Sequence, residues 1–237
     1  MLMQADAAAL EIRVAAYLSQ DETLIREIVE ELDIHTDNQT RFGLPSRLIA
    51  KVFVFRLLYG GSAYSYANDP EFMTISKSEQ FWQKVIDAYY EKYEGIKLWH
   101  TKLVREAVET GKVVSPTGRE YIFQEYNGSL KDTQIKNYVV QGTGADLMAL
   151  ARVSFHNRLK KLNYKDCLLV NTVHDSIILD YNEKVCDTKT LAQLFHDVFR
   201  DLPRNFEKLF LTPFNVPMTC EVLVGTNWEN MEEIKCL

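Results

Sequence analysis

The spacing of apolar residues along the chain predicts amphipathic helices separated by short strands. Asp21–Leu32 combines an acidic face with an apolar stripe at helical spacing, which predicts an amphipathic helix. The stripe consists of Leu24, Ile25, Ile28, Val29 and Leu32. Helical spacing recurs at Arg47–Tyr59, Ser76–Gly111 and Lys131–Leu162 and, as one or two helices, at Glu183–Leu211. The aromatic residues of the Ser76–Gly111 segment are expected to form core rather than a binding surface.

Strand-like alternation appears at both ends of the chain and around one polar tripeptide. The tripeptide His174-Asp175-Ser176 interrupts two apolar strands between Cys167 and Asp180. A carboxylate at the turn of a buried hairpin is costly unless a cation compensates it, so this turn is a candidate for chemistry. Further strands are predicted just before Asp6, in a hairpin at Lys112–Phe123 and at Pro217–Val224.

One face of the Arg47–Tyr59 helix carries two cations and two aromatic rings. These residues recur every fourth position, so they form a ribbon roughly 18 Å long on the helix. In order they are Arg47, Lys51, Phe55 and Tyr59. The cations lie at the N-terminal end, where the helix dipole already attracts anions. A polyphosphate could therefore bind the cations with a flat base over Phe55; the alternative is an ordinary amphipathic helix that buries both rings.

The composition of the chain is that of an ordinary globular protein and does not indicate a particular function. Hydrophobic residues make up 46% of the 237 positions and charged residues 25%, which is typical of a soluble globular protein. No signal peptide or membrane span is predicted. The cysteines lack C-x-x-C spacing, which favours reduced thiols in an intracellular protein; they are Cys167, Cys186, Cys220 and Cys236. The net charge of −6 argues against nucleic-acid binding through bulk charge and leaves a local basic face as the alternative.

Three segments together resemble motifs A, B and C of family A DNA polymerases, the bacterial polymerase I and bacteriophage class. They are D-x-x-x-L-E-I-R at Asp6–Arg13, R-x-x-x-K-x-x-x-F-x-x-x-Y-G at Arg47–Gly60 and V-H-D at Val173–Asp175. V-V-Q-G-T-G-A-D-L-M and the closing C-E-V-L-V-G-T-N-W are also similar to family segments. The resemblance extends from about Met3 to Glu233 and implies template-directed DNA synthesis.

The resemblance implies that Asp6 and Asp175 hold two Mg²⁺ ions, roughly 3.5–4 Å apart. Adjacent strands lie about 4.8 Å apart and can bring two such acids together despite their sequence separation. One ion would activate the primer 3′-hydroxyl and the other would neutralise the leaving pyrophosphate, with Lys51 as a further catalytic residue.

The same resemblance assigns substrate-binding and DNA-binding residues. His35, Arg47 and Lys51 would bind the dNTP triphosphate, and Phe55 would stack near the incoming base and sugar. Tyr59 and Glu11 would exclude a ribose 2′-hydroxyl. Contacts to primer–template DNA are expected from Arg13, Asn137, Gln141 and His174.

Four positions depart from the family pattern. Ala9 stands where a polar Gln or Gly is usual, and Arg56 stands where Gly is common. Ser176 replaces the Glu of the usual H-D-E, which removes an expected metal or water contact. H-D-S also occurs in single-subunit phage-type RNA polymerases, but Glu11 favours dNTPs. Thr133 falls where many relatives carry Arg.

The resemblance implies an α+β fold: a polymerase palm with a small antiparallel sheet and an inserted, mostly helical fingers subdomain. The expected division is 1–24 palm with motif A, 25–131 fingers and 132–237 palm with motif C. We expect the thumb and the exonuclease domain to be absent from this chain. An N-terminal polymerase half that carries them is the expected partner. A cytoplasmic location, in a bacterium or a phage-infected host cell, is expected.

Two other functions stay open at this stage. One is a catalytically weak remnant that serves as a nucleotide-binding or partner-binding subunit, although retention of both acids and both helix cations disfavours it. The other is RNA synthesis by a related palm.

Overall fold

The computed structural model describes residues 1–125 and 128–234. The strands are β1 (Leu2–Ala7), β2 (Lys112–Val114), β3 (Glu120–Ile122), β4 (Cys167–Val173), β5 (Ser176–Tyr181), β6 (Cys220–Gly225) and β7 (Met231–Glu233). The helices are α1 (Leu10–Ser19), α2 (Glu22–Val29), α3 (Ile34–Phe42), α4 (Arg47–Leu58), α5 (Ala63–Ala67), α6 (Glu79–Lys92), α7 (Glu94–Thr110), α8 (Asp132–Leu162), α9 (Thr188–Arg200) and α10 (Leu202–Phe210), with a 3₁₀ turn at Phe72–Thr74. The predicted small antiparallel sheet and helical segments are thus confirmed, whereas α5, the 3₁₀ turn and β7 were not anticipated.

The chain forms two compact units. One comprises Met1–Arg13 with Gly142–Leu237, and the other comprises Val14–Gln141. The boundaries between the units, at 13/14 and 141/142, lie within helices α1 and α8. The predicted subdomain boundaries at 24/25 and 131/132 stay predictions.

The first unit is built on a five-stranded antiparallel sheet with β1 at its centre, in the order β4-β5-β1-β6-β7. Met3, Ala5 and Ala7 are buried on one face of β1, so Gln4 and Asp6 lie on the other. Helix α9 packs on β1 and β6. On β1, the apolar residues therefore lie on one face of the sheet, and the polar residues Gln4 and Asp6 lie on the other.

Strand β4 is an edge strand, so the prediction of a buried hairpin holds for β5 and was wrong for β4. Leu168, Val170 and Val173 are 61%, 51% and 41% exposed, and the pairing with β5 shifts register between Leu169 and Asn171. Only β5 of this hairpin lies between two other strands. The apolar sequence of β4 therefore does not reflect burial.

The second unit has an aromatic core, as predicted for the Ser76–Gly111 segment. Phe53, Tyr66, Trp82 and Tyr89 are almost completely buried, and the Tyr66 and Trp82 ring centroids lie 5.4 Å apart. Arg56, one of the departures from the family pattern, pairs with a carboxylate at 2.8 Å and lies over the rings of Tyr66 and a neighbouring phenylalanine. The arginine therefore stabilises this core from its edge.

A buried polar network joins α2, α3 and α6. The Lys92 ammonium lies 2.9 Å from Glu27 Oε1 and 2.7 Å from Asp37 Oδ2, and it donates to Asn38 Oδ1 at 2.8 Å. The Tyr93 hydroxyl donates to the other Glu27 oxygen at 2.7 Å. Because the Lys92 and Glu27 side chains are only 5% and 8% exposed, the Glu27 carboxylate depends on Lys92 for compensation of its charge.

Three of the four cysteines, Cys167, Cys186 and Cys220, are buried free thiols; Cys236 lies outside the described residues. Among the described residues, no helix is long and apolar enough to cross a membrane.

Candidate active site

The two predicted metal-binding acids lie at the same end of the sheet. Asp6, near the end of β1, pairs with Ser176 at the start of β5. The Ala7 amide donates to the carbonyl oxygen of Asp175 at 3.0 Å. The antiparallel register therefore brings Asp6 and Asp175 to neighbouring strand ends, although most of the chain separates them in sequence.

The turn that carries Asp175 is tight and strained. His174 and Asp175 form the two-residue connection between β4 and β5, and His174 has φ 52°, which non-glycine residues seldom adopt. His174 is exposed and Asp175 is half-buried. The turn is thus not fully buried, as a buried hairpin would require.

The Asp6 carboxylate is held by a hydrogen-bond chain within the sheet. The Ser176 hydroxyl donates to Asp6 Oδ2, and Gln4 Nε2 donates to the same hydroxyl at 3.3 Å. Ser176 itself is buried. Ser176, which stands where the family usually has Glu, therefore supplies a neutral hydrogen-bond donor to Asp6.

The donor chemistry at this end of the sheet fits Mg²⁺. Among the described residues no group of three or more His, Cys, Asp or Glu side chains could hold a metal ion. Mg²⁺ commonly needs only one or two carboxylates, because substrate phosphates and waters complete its octahedron. Asp6 and Asp175 provide hard oxygen ligands of this kind, so the pair is suited to an ion that substrate helps to hold.

Glu11 and Arg13 follow on the first turns of α1. Glu11 is half-buried, and an acid in the first turn is favoured by the helix dipole. Arg13 Nε donates to Ala8 O at 2.8 Å, while its terminal nitrogens donate to Pro217 O and, at 3.0 Å, to Thr219 Oγ1. Arg13 therefore fixes the β1–α1 junction to the segment before β6, and its contact with DNA stays a prediction.

The cationic helix predicted at Arg47–Tyr59 is α4, in the second unit. Ser46 caps it by accepting from the Ile49 amide at 3.2 Å. Its core face is formed by Ala50, Phe53, Val54 and Leu57, all buried. Arg47 and Lys51 are exposed, and Phe55 and Tyr59 are half-buried. The two rings are thus less buried than the core face, and the nucleotide-binding role of the ribbon stays a prediction.

The N-terminal half of this ribbon contacts α3. Arg47 Nε pairs with Asp33 Oδ2 at 2.8 Å, and this hydrogen bond holds the pKa of Asp33 well below its usual range. Lys51 Nζ lies 5.8 Å from the Phe55 ring centroid, and the His35 ring lies 6.0 Å from it. Of the predicted triphosphate-binding residues, His35 and Lys51 therefore lie beside the Phe55 ring. Arg47 is held by Asp33 at the start of α3.

His35 is neutral in this environment. Burial lowers its pKa to about 4, and the positive charges of Arg47 and Lys51 act in the same direction. A bound anion would offset those charges and favour the imidazolium.

The unfolding free energy is expected to fall as the pH drops from about 6.5 to about 4, because the unfolded chain protonates His35 first. Above that range the histidine is neutral in both states and its contribution is complete. One pKa unit corresponds to about 1.4 kcal/mol, so this histidine accounts for about 3 kcal/mol. Urea unfolding at several pH values measures the slope.

His35→Gln should reduce this slope, and His156→Gln, at an exposed position on α8, should not. His100 contributes in the same direction because burial lowers its pKa to about 3, so some slope persists in His35→Gln. Identical slopes in wild type and His35→Gln would contradict the assignment.

The remaining predicted DNA-binding residues lie on α8. Asn137 is half-buried and Gln141 is exposed; they are one helical turn apart, on the same side of α8. Both belong to the second unit, whereas His174 belongs to the first. Their roles stay predictions.

An antiparallel sheet with paired acids at one end, together with a helical unit that presents a cationic helix, is the makeup of a polymerase palm and fingers. The chain belongs to DNA polymerase family A, whose family model matches residues 1–230.

Curated relatives agree with this assignment. The chain is 29% identical over 247 aligned residues to the thermostable DNA polymerase I of Thermus aquaticus. The alignment covers 98% of this chain and 27% of that protein. It is 28% identical to DNA polymerase I of Chloroflexus aurantiacus, covering 97% of this chain and 24% of the relative. The chain thus spans about a quarter of the length of these relatives.

A solved structure shares the fold. The POL domain of Pol1 from M. smegmatis, in complex with DNA primer-template and dNTP, superposes with a TM-score of 0.80 at 22% identity. The match covers 96% of this chain and 40% of that one.

Proposed function

We propose that this chain is a catalytic portion of a DNA-directed DNA polymerase that transfers dNMP to a primer 3′-hydroxyl. The observation that carries the proposal is the register that brings Asp6 and Asp175 to adjacent strand ends in a family A chain. Bound Mg²⁺ would supply activation of the hydroxyl and neutralisation of the leaving pyrophosphate. The protein's own part is to hold its carboxylates in place, so little covalent chemistry is left to it.

Substrate would be bound largely by the second unit. Arg47, Lys51 and a protonated His35 would bind the triphosphate, with Lys51 also stabilising charge that develops during transfer. Phe55 would stack near the incoming base. Tyr59 and Glu11 would restrict the sugar's 2′ position. The exposure of both cations, and the position of Lys51 beside the Phe55 ring, support this assignment.

Primer–template DNA is the proposed macromolecular substrate. The related Pol1 structure contains DNA primer-template and dNTP, which supports the same ligands here. Arg13, Asn137, Gln141 and His174 are the proposed DNA contacts, with palm at 1–24 and 132–237 and fingers at 25–131. An N-terminal half with thumb and exonuclease stays a proposed partner, and a bacterial or phage-infected cytoplasm stays the proposed location.

The assay for this proposal is template-directed single-nucleotide incorporation with Mg²⁺, comparing each dNTP with its rNTP. The wild-type chain, alone or with an N-terminal polymerase half added, should incorporate the dNMP that the template specifies. Glu11→Ala is expected to raise the rNMP-to-dNMP ratio by about ten- to a hundredfold, because a polar barrier at the 2′ position is lost.

Glu22→Ala is the matched control, since Glu22 is an exposed first-turn acid on the next helix. It should leave the ratio unchanged. Nucleotide binding without any incorporation, with and without the added half, would favour the remnant function. Preferential rNMP incorporation by the wild type would favour RNA synthesis.

A further inference from the structure

Asp6, the first acid of the proposed metal site, has two polar neighbours on the sheet. Gln4 and Asp6 are two residues apart on β1, so they lie on the same face of the sheet, and Ser176 is the cross-strand neighbour of Asp6. The Ser176 side chain lies within hydrogen-bond distance of both. This places a buried hydroxyl between an amide and a carboxylate.

The two hydrogen bonds that link Gln4, Ser176 and Asp6 have a defined direction. A serine hydroxyl has one proton, and here it is donated to Asp6 Oδ2 because an ionised carboxylate only accepts. The hydroxyl oxygen then accepts from the Gln4 amide, which only donates through Nε2. Gln4 therefore fixes the orientation of the serine, and the serine fixes one oxygen of the acid.

This bond constrains one of the two carboxylates that the proposed reaction needs. The Ser176 hydroxyl binds Oδ2 of Asp6 and not Oδ1. Holding Oδ2 toward β5 thus restricts the side-chain torsions of Asp6 while one oxygen stays available to a cation. Groups that orient a metal ligand in this way commonly change metal affinity by about 10–100-fold when they are removed.

We propose that Ser176 is a positioning residue that pre-orients Asp6 for divalent-cation binding, with Gln4 as its support. The inference rests on the proposed function, because it assigns Asp6 to the cation. It also explains why a neutral residue can follow Asp175: the hydroxyl acts through Asp6 and need not bind the cation itself.

The test is a Mn²⁺ titration of the full chain without nucleotide, followed by paramagnetic broadening of backbone amide NMR signals. In the wild type, signals around Asp6 and Asp175 should broaden first. In Ser176→Ala, about ten- to a hundredfold more Mn²⁺ should be needed for the same selective broadening. Ser176→Thr, which retains a hydroxyl, should restore much of the affinity, and Gln4→Ala should give an intermediate value.

Thr188→Val is the matched control, since it removes a hydroxyl that bonds the Tyr181 hydroxyl at the other end of β5. It should leave the titration unchanged, and urea unfolding should show that all variants are folded. Equal Mn²⁺ requirement in wild type and Ser176→Ala overturns the positioning role while template-directed incorporation by the wild type still stands. Absence of selective broadening in the folded wild type overturns the cation site itself.

Discussion

Replacing Asp175 by alanine is expected to reduce template-directed dNMP incorporation about a thousandfold or more. Loss of one of two carboxylates that hold the metal ions removes several kcal/mol of transition-state stabilisation, and each 1.4 kcal/mol is about tenfold in rate. The fold should survive, because the Ala7 amide bonds to the backbone carbonyl of residue 175, which alanine retains. Single-turnover primer extension measures the rate, and circular dichroism with urea unfolding measures the fold.

Asp180→Ala is the matched control for this variant. Asp180 lies on the same hairpin, its side chain is 59% exposed, and it approaches the N-terminal amine only to 3.8 Å. Its removal changes the net charge by the same amount and should alter the incorporation rate by less than about twofold, as expected for an exposed ion pair. If Asp175→Ala retained more than about a tenth of the wild-type rate, Asp175 would not be a metal ligand in the reaction.

Local patterns predicted most of the secondary structure, but they predicted the buried face of α2 only in part. The stripe on α2 was expected to include Val29 and Leu32, yet these are 59% and 50% exposed, whereas Glu27 is buried. Amphipathic spacing identifies apolar faces only. It cannot anticipate that Lys92, from a different helix, compensates a carboxylate and so makes burial of Glu27 possible.

The order of motifs predicted that Asp6 and Asp175 are the metal-binding acids. The register between β1 and β5 determines which residues contact them. Nothing local to Ser176 shows that its hydroxyl meets Asp6, because that contact depends on the pairing of β1 with β5. The same limitation applies to Arg13, whose partners include Pro217 and Thr219 near the other end of the sequence. Long-range pairing of this kind is set by tertiary packing, which spacing along one segment does not record.

Lys92→Met is expected to lower the unfolding free energy by about 3–5 kcal/mol. The substitution keeps most of the apolar length of the side chain but leaves the buried Glu27 carboxylate without its cation. The Lys92 ammonium donates to Asp37 Oδ2 and Asn38 Oδ1 and lies 2.9 Å from Glu27 Oε1, so methionine, which has no donor, loses all three contacts. Urea unfolding at neutral pH measures the change, with Lys84→Met, an exposed lysine on the same helix, as the control.

A second substitution separates the loss of the ion pair from a loss of packing. If the unpaired carboxylate is the cause, Glu27→Gln combined with Lys92→Met should be less destabilised than Lys92→Met alone, because the buried charge is removed. The Tyr93 hydroxyl, which now donates to Glu27, can still donate to the carbonyl oxygen of the amide that the Glu27→Gln change introduces. If the double variant were instead as unstable as the two single changes added together, the pair would have no coupling, and the destabilisation of Lys92→Met would have to come from packing around the lysine stem.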